Sequence, residues 1–277
     1  MKFWKMHGLG NDYVVINNRD EKIGDKAGEL ARKLCERRFS IGADGLLLLC
    51  NSDVADVKMR IFNADGSEAE MCGNGIRCLV KYCYENKIVQ REYLMVETLA
   101  GIMRTWLTVK AGIVQEVRVD MGKPVLERSR IPMFGHDTCI NEALDVDGEK
   151  FRVTCLSMGN PHCVLFVNDL KGFPVERIGP KIENHRLFPK RTNVEFVHVL
   201  NEAELTVRVW ERGVGETLAC GTGACASVVA GNLLKKIGDK SAVHLLGGDL
   251  KIEYTGTSVF MMGPAEKAFK GEISWQG

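Results

Sequence analysis

The sequence predicts an α/β (α+β) protein of two similar halves, each a curved mixed β-sheet around one central helix. Two observations support this fold class. Short apolar runs typical of strands alternate with a few helical segments along the chain. Several residue types also recur in the same order about 148 positions apart, which indicates two homologous halves. A repeat this long predicts two domains rather than an array of small units.

The first half is predicted to span residues 1–120 and to contain two helices. Lys26–Arg37 places apolar residues at helical spacing, and a second helix is expected over about Asn74–Asn86. Asn63–Gly66 is typical of a turn between strands. The strands expected here are Phe3–Met6, Tyr13–Ile16, Gly45–Cys50, Lys58–Phe62, Glu92–Glu97, Ile102–Lys110 and Val114–Asp120.

The second half is predicted to span residues 121–263, with the boundary at Met121–Pro124. A short helix is expected at Val175–Ile182, and the tail 264–277 is expected to return and pack on the first half. The strands expected here are Phe151–Leu156, His162–Val167, Asn193–Val199, Glu204–Trp210, Ala242–Leu246, Leu250–Tyr254 and Ser258–Met262.

The longest helix of the second half is predicted at about Thr222–Lys236. Its apolar residues go nearly all the way round, and a helix that is apolar on every side is buried. Lys235 and Lys236 suit its C-terminal end, and Gly238 is expected to stop it. The second half is therefore predicted to wrap its sheet around this helix.

The repeat is clearest around two cysteines. Cys72 in Met71-Cys72-Gly73-Asn74-Gly75 and Cys220 in Ala219-Cys220-Gly221-Thr222-Gly223 are 148 positions apart. The other pairs at this offset are Arg60 and Arg208, Phe62 and Trp210, Asn63 and Glu211, and Glu68 and Glu216, with Gly10-Asn11 and Gly159-Asn160 at 149. Both cysteines follow a strand and begin a helix, so two half-sites that face one another are expected.

Composition excludes several classes of protein. Of the 277 residues, 45% are hydrophobic and 26% charged, and the net charge of +1 favours neither nucleic acid nor a membrane as partner. The N-terminus lacks the apolar run of a signal peptide, and the longest aliphatic run, Leu46 to Leu49, is too short to span a membrane. Ten cysteines without a secretory signal indicate reduced thiols and a cytoplasmic protein.

A cysteine followed by Gly-x-Gly at a helix start suits acid–base chemistry. The unpaired N–H groups there carry partial positive charge, which is expected to lower the thiol pKa toward neutrality. Glycines let the backbone approach a ligand closely, and the same N–H groups can bind a carboxylate. Cys72 and Cys220 are therefore candidates for two acid–base groups acting on one carbon.

Other interpretations of these cysteines are open. Each could be an inert cap residue packed in the core, as a single such motif usually is. A zinc-binding protein is conceivable because Cys72 lies near Cys78 and Cys220 near Cys225, although structural zinc sites use closer spacing. A cysteine hydrolase could pair one thiol with His162, but it would leave the second Cys-Gly element unexplained.

At these motifs the chain resembles the diaminopimelate epimerase family. The resemblance runs nearly end to end and rests on long motifs in both halves. These are Lys5–Asp12, Gly42–Gly45, Phe62–Ser67, Met71–Cys78, Met158–His162, Arg191–Asn193, Trp210–Thr217 and Ala219–Ala224. The resemblance implies two pseudo-symmetric halves with an active site in the cleft between them.

The resemblance also implies the reaction, the interconversion of LL- and meso-2,6-diaminopimelate in lysine and peptidoglycan precursor synthesis. It implies no cofactor, and in particular no pyridoxal phosphate. Cys220 is expected to accept the α-proton and Cys72 to donate one in the LL-to-meso direction. His162 and Glu211 are expected to support the proton transfer. A related isomerase acting on proline or hydroxyproline is the alternative within this type of chemistry.

Substrate contacts follow from the same resemblance. Arg212 is expected to pair with the distal carboxylate and Glu211 with an ammonium group. The remaining substrate-binding residues are expected to be Asn11, Asn63, Gly73, Asn74, Asn160, Asn193, Gly221 and Thr222. Gly45 stands where some relatives use a glutamine at the substrate, and Phe269 where some have a tyrosine at a dimer contact. A homodimer is expected.

Overall fold

The chain is described here from a computed structural model, which covers residues 1–275. It divides into two compact units. The first consists of Met1–Asp120 together with the chain from Met262 onward, and the second of Met121–Met261. Gln276 and Gly277, the end of the tail that was expected to pack on the first half, lie outside the described residues.

The first eight strands and the first two helices lie in the first unit. They are β1 (Lys2–Gly8), β2 (Asn11–Asn17), α1 (Ala27–Cys35), β3 (Gly45–Cys50), β4 (Val57–Asn63), β5 (Glu68–Ala69), α2 (Gly73–Glu85), β6 (Tyr93–Thr98), β7 (Gly101–Lys110) and β8 (Ile113–Asp120). The helices and the longer strands confirm the elements predicted for this half.

The second unit contains nine strands and two helices among its described residues. They are β9 (Cys139–Val146), β10 (Glu149–Ser157), β11 (Pro161–Phe166), α3 (Val175–Glu183), β12 (Asn193–Asn201), β13 (Glu204–Glu211), β14 (Gly215–Thr217), α4 (Gly221–Leu233), β15 (Lys240–Leu245), β16 (Gly248–Tyr254) and β17 (Val259–Gly263). A last strand, β18 (Glu266–Glu272), follows β17 and pairs with β1 in the first unit.

The strands of the two units pair in the same order and with the same directions. In the first unit β18, β1 and β2 are antiparallel neighbours, β2 and β3 are parallel, β3 and β4 antiparallel, β4 and β6 parallel, and β6, β7 and β8 antiparallel. In the second unit β9, β10 and β11 are antiparallel, β11 and β12 parallel, β12 and β13 antiparallel, β13 and β15 parallel, and β15 and β16 antiparallel. The mixed sheets and the repeat are therefore as predicted.

One helix lies at the centre of each sheet. α2 packs against β1, β2, β3, β4 and β8, and α4 packs against β10, β11, β12, β13, β15 and β16. The first eleven residues of α2 are buried, and α4 is buried over nearly its whole length, as its apolar sequence predicts. α1 packs on β3 and β4, whereas α3 packs on β12 and β13. Each central helix therefore has its N-terminus fixed by an entire sheet.

The ends of the central helices differ from the prediction. α4 ends at Leu233, and the turn that stops it is made by Lys235, which has a φ of +55°, and not by Gly238. The N–H groups of Lys235 and Lys236 bond to the carbonyl oxygens of Asn232 and Gly231 at 2.9 Å, a Schellman motif. Lys87, 148 positions earlier, ends α2 in the same way with a φ of +57°. A lysine thus takes the left-handed position that glycine usually fills.

Four strands were missed for physical reasons. β5 and β14 have only two and three residues, too few for an alternating pattern. β9 is mostly exposed and polar in its middle, and β18 is exposed at nearly every residue, so both lack the apolar signal of the other strands. Within residues 1–275, no helix is long and apolar enough to cross a membrane.

Candidate active site

Cys72 lies at the junction of β5 and α2 in the first unit. It is half-buried and is the N-cap residue of α2, with an extended backbone (φ −141°, ψ 125°). Gly73, Asn74 and Gly75 form the first turn of α2, so Cys72 is the last residue before the helix. The thiol itself makes no capping hydrogen bond to the N–H groups that begin α2.

Two side chains from the start of β2 contact this thiol. The hydroxyl of Tyr13 lies 2.9 Å from Cys72 Sγ and donates to Asn11 Oδ1 at 2.5 Å. Cys72 Sγ is 3.7 Å from the same Asn11 oxygen. Asn74 Nδ2 also donates to Asn11 Oδ1, at 3.3 Å. Asn11 Oδ1 is therefore the shared acceptor of this half-site.

A charged network fixes Asn11. Its Nδ2 donates to Asp44 Oδ2 at 2.9 Å, and Arg37 Nη2 bonds to Asp44 at 2.8 Å and to Asp12 at 2.7 Å. Lys5 forms an ion pair with Asp12 at 2.7 Å. Burial opposes ionisation of Asp12, but hydrogen bonds from Arg37 and Lys5 outweigh it and lower its pKa to about 2. The Asn11 amide is thus held in one orientation by the side chain of Asp44, which Arg37 links to Asp12.

Cys220 occupies the equivalent position in the second unit. It is buried and is the N-cap residue of α4, and its Sγ accepts a hydrogen bond from the N–H of Gly223 at 3.4 Å. Thr222 Oγ1 also lies 3.4 Å from the sulfur. The helix therefore offers Cys220 a backbone donor and a hydroxyl.

The expectation of a lowered thiol pKa is wrong for Cys220. Burial raises its pKa well above the ordinary value, and the carboxylates of Glu211 and Glu195 raise it further. The hydrogen bonds from Thr222 and Gly223 act in the opposite direction but are too weak to compensate. Desolvation therefore outweighs the helix N-terminus at this site, so the thiol form of Cys220 is favoured and its thiolate is more basic than an ordinary one.

Glu211, at the end of β13, contributes to this environment. Its Oε1 accepts a hydrogen bond from Thr217 Oγ1 at 2.5 Å. Burial raises the pKa of Glu211, and the nearby carboxylate of Glu195 adds to this, whereas the bond from Thr217 opposes it. The Glu211 carboxylate therefore disfavours ionisation of Cys220, whereas the hydrogen bond from Cys220 favours ionisation of Glu211.

Replacement of Glu211 with glutamine tests this coupling. With the neighbouring negative charge removed, the pKa of Cys220 should fall, so its thiolate should be more populated at any pH below that value. We expect labelling of Cys220 by iodoacetamide at a fixed pH near 8 to become several-fold faster in Glu211→Gln, as measured by mass spectrometry of the labelled peptide. Glu202→Gln, at an exposed position of the same unit, should label like the parent. An unchanged or slower rate in Glu211→Gln would contradict the coupling.

His162, on β11, is fully buried beside a second acidic group. Its Nδ1 lies 2.7 Å from Glu195 Oε1, and its Nε2 lies 2.9 Å from Asn160 Oδ1. A carboxylate only accepts hydrogen bonds, so Glu195 places a proton on Nδ1 and fixes the ring orientation. The other ring nitrogen, Nε2, is occupied by the side chain of Asn160, so both nitrogens of His162 have partners.

Glu195 is one of the site residues that sequence reasoning missed, and Tyr13 beside Cys72 is another. Glu195 lies on β12, is 0% exposed, and its Oε2 has no hydrogen-bond partner among the described residues. A Cβ atom at Gly223 would lie 2.7 Å from Glu195 Oε1, so the glycine makes room for the carboxylate under α4. The sequence does hold a sign of Glu195, which is a charged residue among the apolar residues of a buried strand. Such a buried charge needs a partner.

The other predicted substrate residues differ in burial and in whether the protein already uses their side chains. Asn63 is exposed and donates to Ser67 Oγ at 2.9 Å. Asn193 is buried and uses its amide on the protein: Nδ2 donates to the carbonyl of Pro161 at 2.8 Å, and Oδ1 accepts from the N–H of Arg212 at 2.9 Å. Asn193 therefore fixes the backbone that carries Arg212, whose side chain is exposed. Gly73 and Gly221 begin α2 and α4.

The described part of the chain contains no cluster of side chains that could hold a metal ion. Between residues 1 and 275, no group of three or more His, Cys, Asp or Glu side chains is arranged to hold a metal ion. Cys78 and Cys225, which could have joined Cys72 and Cys220 at a zinc site, are buried in the core.

Sequence comparison decides the family. A sequence model described as "Diaminopimelate epimerase" matches residues 3–127 and 154–268, which is more than half of the chain. The chain belongs to the diaminopimelate epimerase family. It is therefore an epimerase, a class of isomerase, that acts on a small molecule.

Relatives in this family match over their full length. The chain is 56% identical to diaminopimelate epimerase from Moorella thermoacetica, covering 99% of each chain. It is 55% identical to the enzyme of that name from Pelotomaculum thermopropionicum, covering 100% of each. These identities extend through both units of the fold.

Solved structures of distant proteins share the fold of the diaminopimelate epimerase family. One is a phenazine biosynthesis protein of the PhzF family from Bacillus anthracis, with a TM-score of 0.73, 15% identity and 99% of each chain covered. Another is a hydroxyproline epimerase from Agrobacterium vitis, with a TM-score of 0.70, 14% identity, and 98% of this chain and 91% of that chain covered.

Proposed function

We propose that this protein interconverts LL- and meso-2,6-diaminopimelate without a cofactor. The observation that carries the proposal is the placement of Cys72 and Cys220. In a chain of the diaminopimelate epimerase family, two units of matching topology each present one cysteine as the N-cap residue of the central helix. Two equivalent thiols match a reaction that removes a proton from one face of a carbon and adds one to the other.

The proposed step needs no oxidant or reductant. In the LL-to-meso direction the Cys220 thiolate takes the α-proton, and the electron pair of the broken C–H bond stays on the carbon. The Cys72 thiol then donates its proton to the opposite face, so a new C–H bond forms with inversion. The roles exchange in the reverse direction. Because the α-proton is far less acidic than a thiol, a strongly basic thiolate such as buried Cys220 favours its removal.

Backbone and side-chain donors are proposed to stabilise the carbanion. The N–H groups at Gly73-Asn74 and Gly221-Thr222 would bind the reacting carboxylate, since helix N-termini favour anions. Preorganised donors of this kind supply much of the stabilisation in many enzymes. His162 would support proton transfer from its fixed position on Glu195, and Glu211 from its place beside Cys220.

The distal end of the substrate is proposed to determine specificity. Diaminopimelate carries a second carboxylate and a second ammonium group, and Arg212 and Glu211 have the complementary charges. Asn11, Asn63, Asn160 and Asn193 would contribute amide groups to the same recognition. Proline has no such distal end, so this set of residues favours diaminopimelate over proline.

The test is incubation of the purified protein with LL-diaminopimelate in D2O. We expect meso-diaminopimelate with one deuterium at the inverted carbon, detected by chiral separation and mass spectrometry. The rate should be unchanged by dialysis against EDTA and should not need pyridoxal phosphate. Proline and trans-4-hydroxyproline should not react. Failure to isomerise diaminopimelate, or turnover of proline in its place, would overturn the proposal.

We also propose a cytoplasmic homodimer that serves lysine and peptidoglycan precursor synthesis. All ten cysteines lie within the described residues and none of them forms a disulfide there, which suits a reducing compartment. Phe269 on β18 is 49% exposed and offers an apolar contact for a second copy of the chain. Sedimentation of the parent and of Phe269→Glu would test the dimer.

A further inference from the structure

Tyr13 and His162 are equivalent residues of the two units. Tyr13 follows Asn11 by two positions at the start of β2, and His162 follows Asn160 by two positions at the start of β11. The two are 149 positions apart, the same offset as Asn11 and Asn160. Each bonds to its own asparagine, Tyr13 through its hydroxyl at 2.5 Å and His162 through Nε2 at 2.9 Å. The duplication has therefore placed a phenol where the other unit has an imidazole.

Position 45 makes room for the phenol ring. Tyr13 pairs with Gly45 across β2 and β3, whereas His162 pairs with Asn193 across β11 and β12. A Cβ atom at position 45 would lie 2.7 Å from the carbonyl oxygen of Phe62, and 3.2 Å and 3.3 Å from Cε1 and Cδ1 of Tyr13. Gly45 therefore accommodates both the neighbouring strand β4 and the buried ring of Tyr13, whose hydroxyl reaches the thiol of Cys72.

The hydroxyl of Tyr13 has two acceptors within reach. Asn11 Oδ1 is at 2.5 Å and Cys72 Sγ at 2.9 Å. When Cys72 is a thiol, it can itself donate toward Asn11 Oδ1, which it approaches to 3.7 Å. When Cys72 is a thiolate, it has no proton to donate and needs donors, because a charged acceptor gains most from hydrogen bonds.

We propose that Tyr13 is a further catalytic residue, whose hydroxyl donates to Asn11 while Cys72 is a thiol and turns to donate to the Cys72 sulfur when it becomes a thiolate. The inference rests on the proposed function, in which Cys72 alternates between these two forms. The phenol proton stays on its oxygen throughout, so only the hydrogen bond changes partner. Asp44 keeps Asn11 Oδ1 in place for this exchange by accepting from Asn11 Nδ2.

The surroundings keep Tyr13 protonated. Burial raises its pKa well above the ordinary value, and the nearby thiols of Cys72 and Cys78 on α2 and the carboxylate of Asp44 before β3 raise it further. Arg77, a buried cation on α2, is directed to Asn74 Oδ1 and to the carbonyls of Gly73 and Pro264. The raised pKa therefore favours the phenol form of Tyr13, which can donate a hydrogen bond.

The decisive variant is Tyr13→Phe, which removes one oxygen and leaves the buried ring. In the absence of substrate, labelling of Cys72 by iodoacetamide at pH 7 should slow about tenfold, and its pH–rate profile should move to higher pH, because the thiolate loses a donor worth about 1.5 kcal/mol or more. With diaminopimelate, kcat should fall about tenfold or more in both directions. Peptide mass spectrometry and chiral analysis give the two readouts.

Tyr82→Phe is the matched control. Tyr82 is a buried tyrosine of the same unit whose ring packs against Trp4, so its labelling profile and turnover should equal those of the parent. A Tyr13→Phe variant with parental unfolding, parental Cys72 labelling and parental turnover would overturn the inference. The labelling experiment needs no substrate, so it still decides the Tyr13–Cys72 contact if diaminopimelate proves not to be the substrate.

Discussion

Replacement of either Cys72 or Cys220 with alanine is expected to lower epimerisation at least about a thousandfold, since each supplies one of the two proton transfers. The small volume change at the half-buried Cys72 and the buried Cys220 should leave both variants folded. Turnover of LL- and meso-diaminopimelate by each variant is the measurement. Cys50→Ala, at a half-buried thiol outside both half-sites, is the matched control and should keep parental activity.

The two alanine variants should also differ from each other. Cys72→Ala keeps the base proposed for the LL isomer, so any remaining exchange of the α-proton with D2O should occur in LL-diaminopimelate without inversion. Cys220→Ala keeps the other thiol, so exchange should be confined to the meso isomer. Exchange of the same isomer by both variants would exclude the assignment of one thiol to each face, and full activity of either variant would exclude the two-base reaction.

Glu195→Ala is expected to have the largest effect on stability among substitutions in the second unit. The change leaves His162 buried without its 2.7 Å partner and opens a space beneath Gly223. Leaving a buried polar group without its hydrogen-bond partner costs about 1–3 kcal/mol, and the space that opens adds to this loss. Urea unfolding monitored by circular dichroism should show this loss, whereas Glu202→Ala, at an exposed position, should remain close to the parent.

Glu195→Gln distinguishes the role of Glu195 in orienting His162 from its role in the stability of the fold. The amide keeps the shape of the side chain and an oxygen for His162 Nδ1, so unfolding should change much less than in Glu195→Ala. Turnover should still fall, because a neutral amide holds the imidazole less firmly than a carboxylate. Parental stability and turnover in Glu195→Ala would show that the buried pair has neither role.

Several features of the fold could be predicted because they depend on local sequence. The 148-residue repeat gave two units with equivalent central helices, and α4 is apolar on all sides, so its burial followed from composition alone. The bidentate pairs Arg60–Glu68 and Arg208–Glu216 show how far the repeat reaches into side-chain contacts. The positions of Cys72 and Cys220 directly before their helices could be predicted from the local sequence in the same way.

Other features depend on contacts that are distant in sequence. The raised pKa of Cys220 comes from burial and from carboxylates on β12 and β13, whereas the local motif alone predicts a lowered one. Glu195 gains its role only through His162, 33 positions away. The end of α4 was misplaced because the turn at Lys235 is fixed by backbone hydrogen bonds and packing, although glycine is usually preferred there.

The pairing of β18 with β1 makes the first unit discontinuous in sequence, and this affects the order of synthesis. The second unit, Met121–Met261, is one uninterrupted stretch, so it can be completed while the chain is still emerging from the ribosome. The first unit begins at Met1, and β1 can pair with β2 early, but its second partner strand is missing until Glu266–Glu272 has been made. The part of the protein that is translated first is therefore the last to acquire its full set of strands.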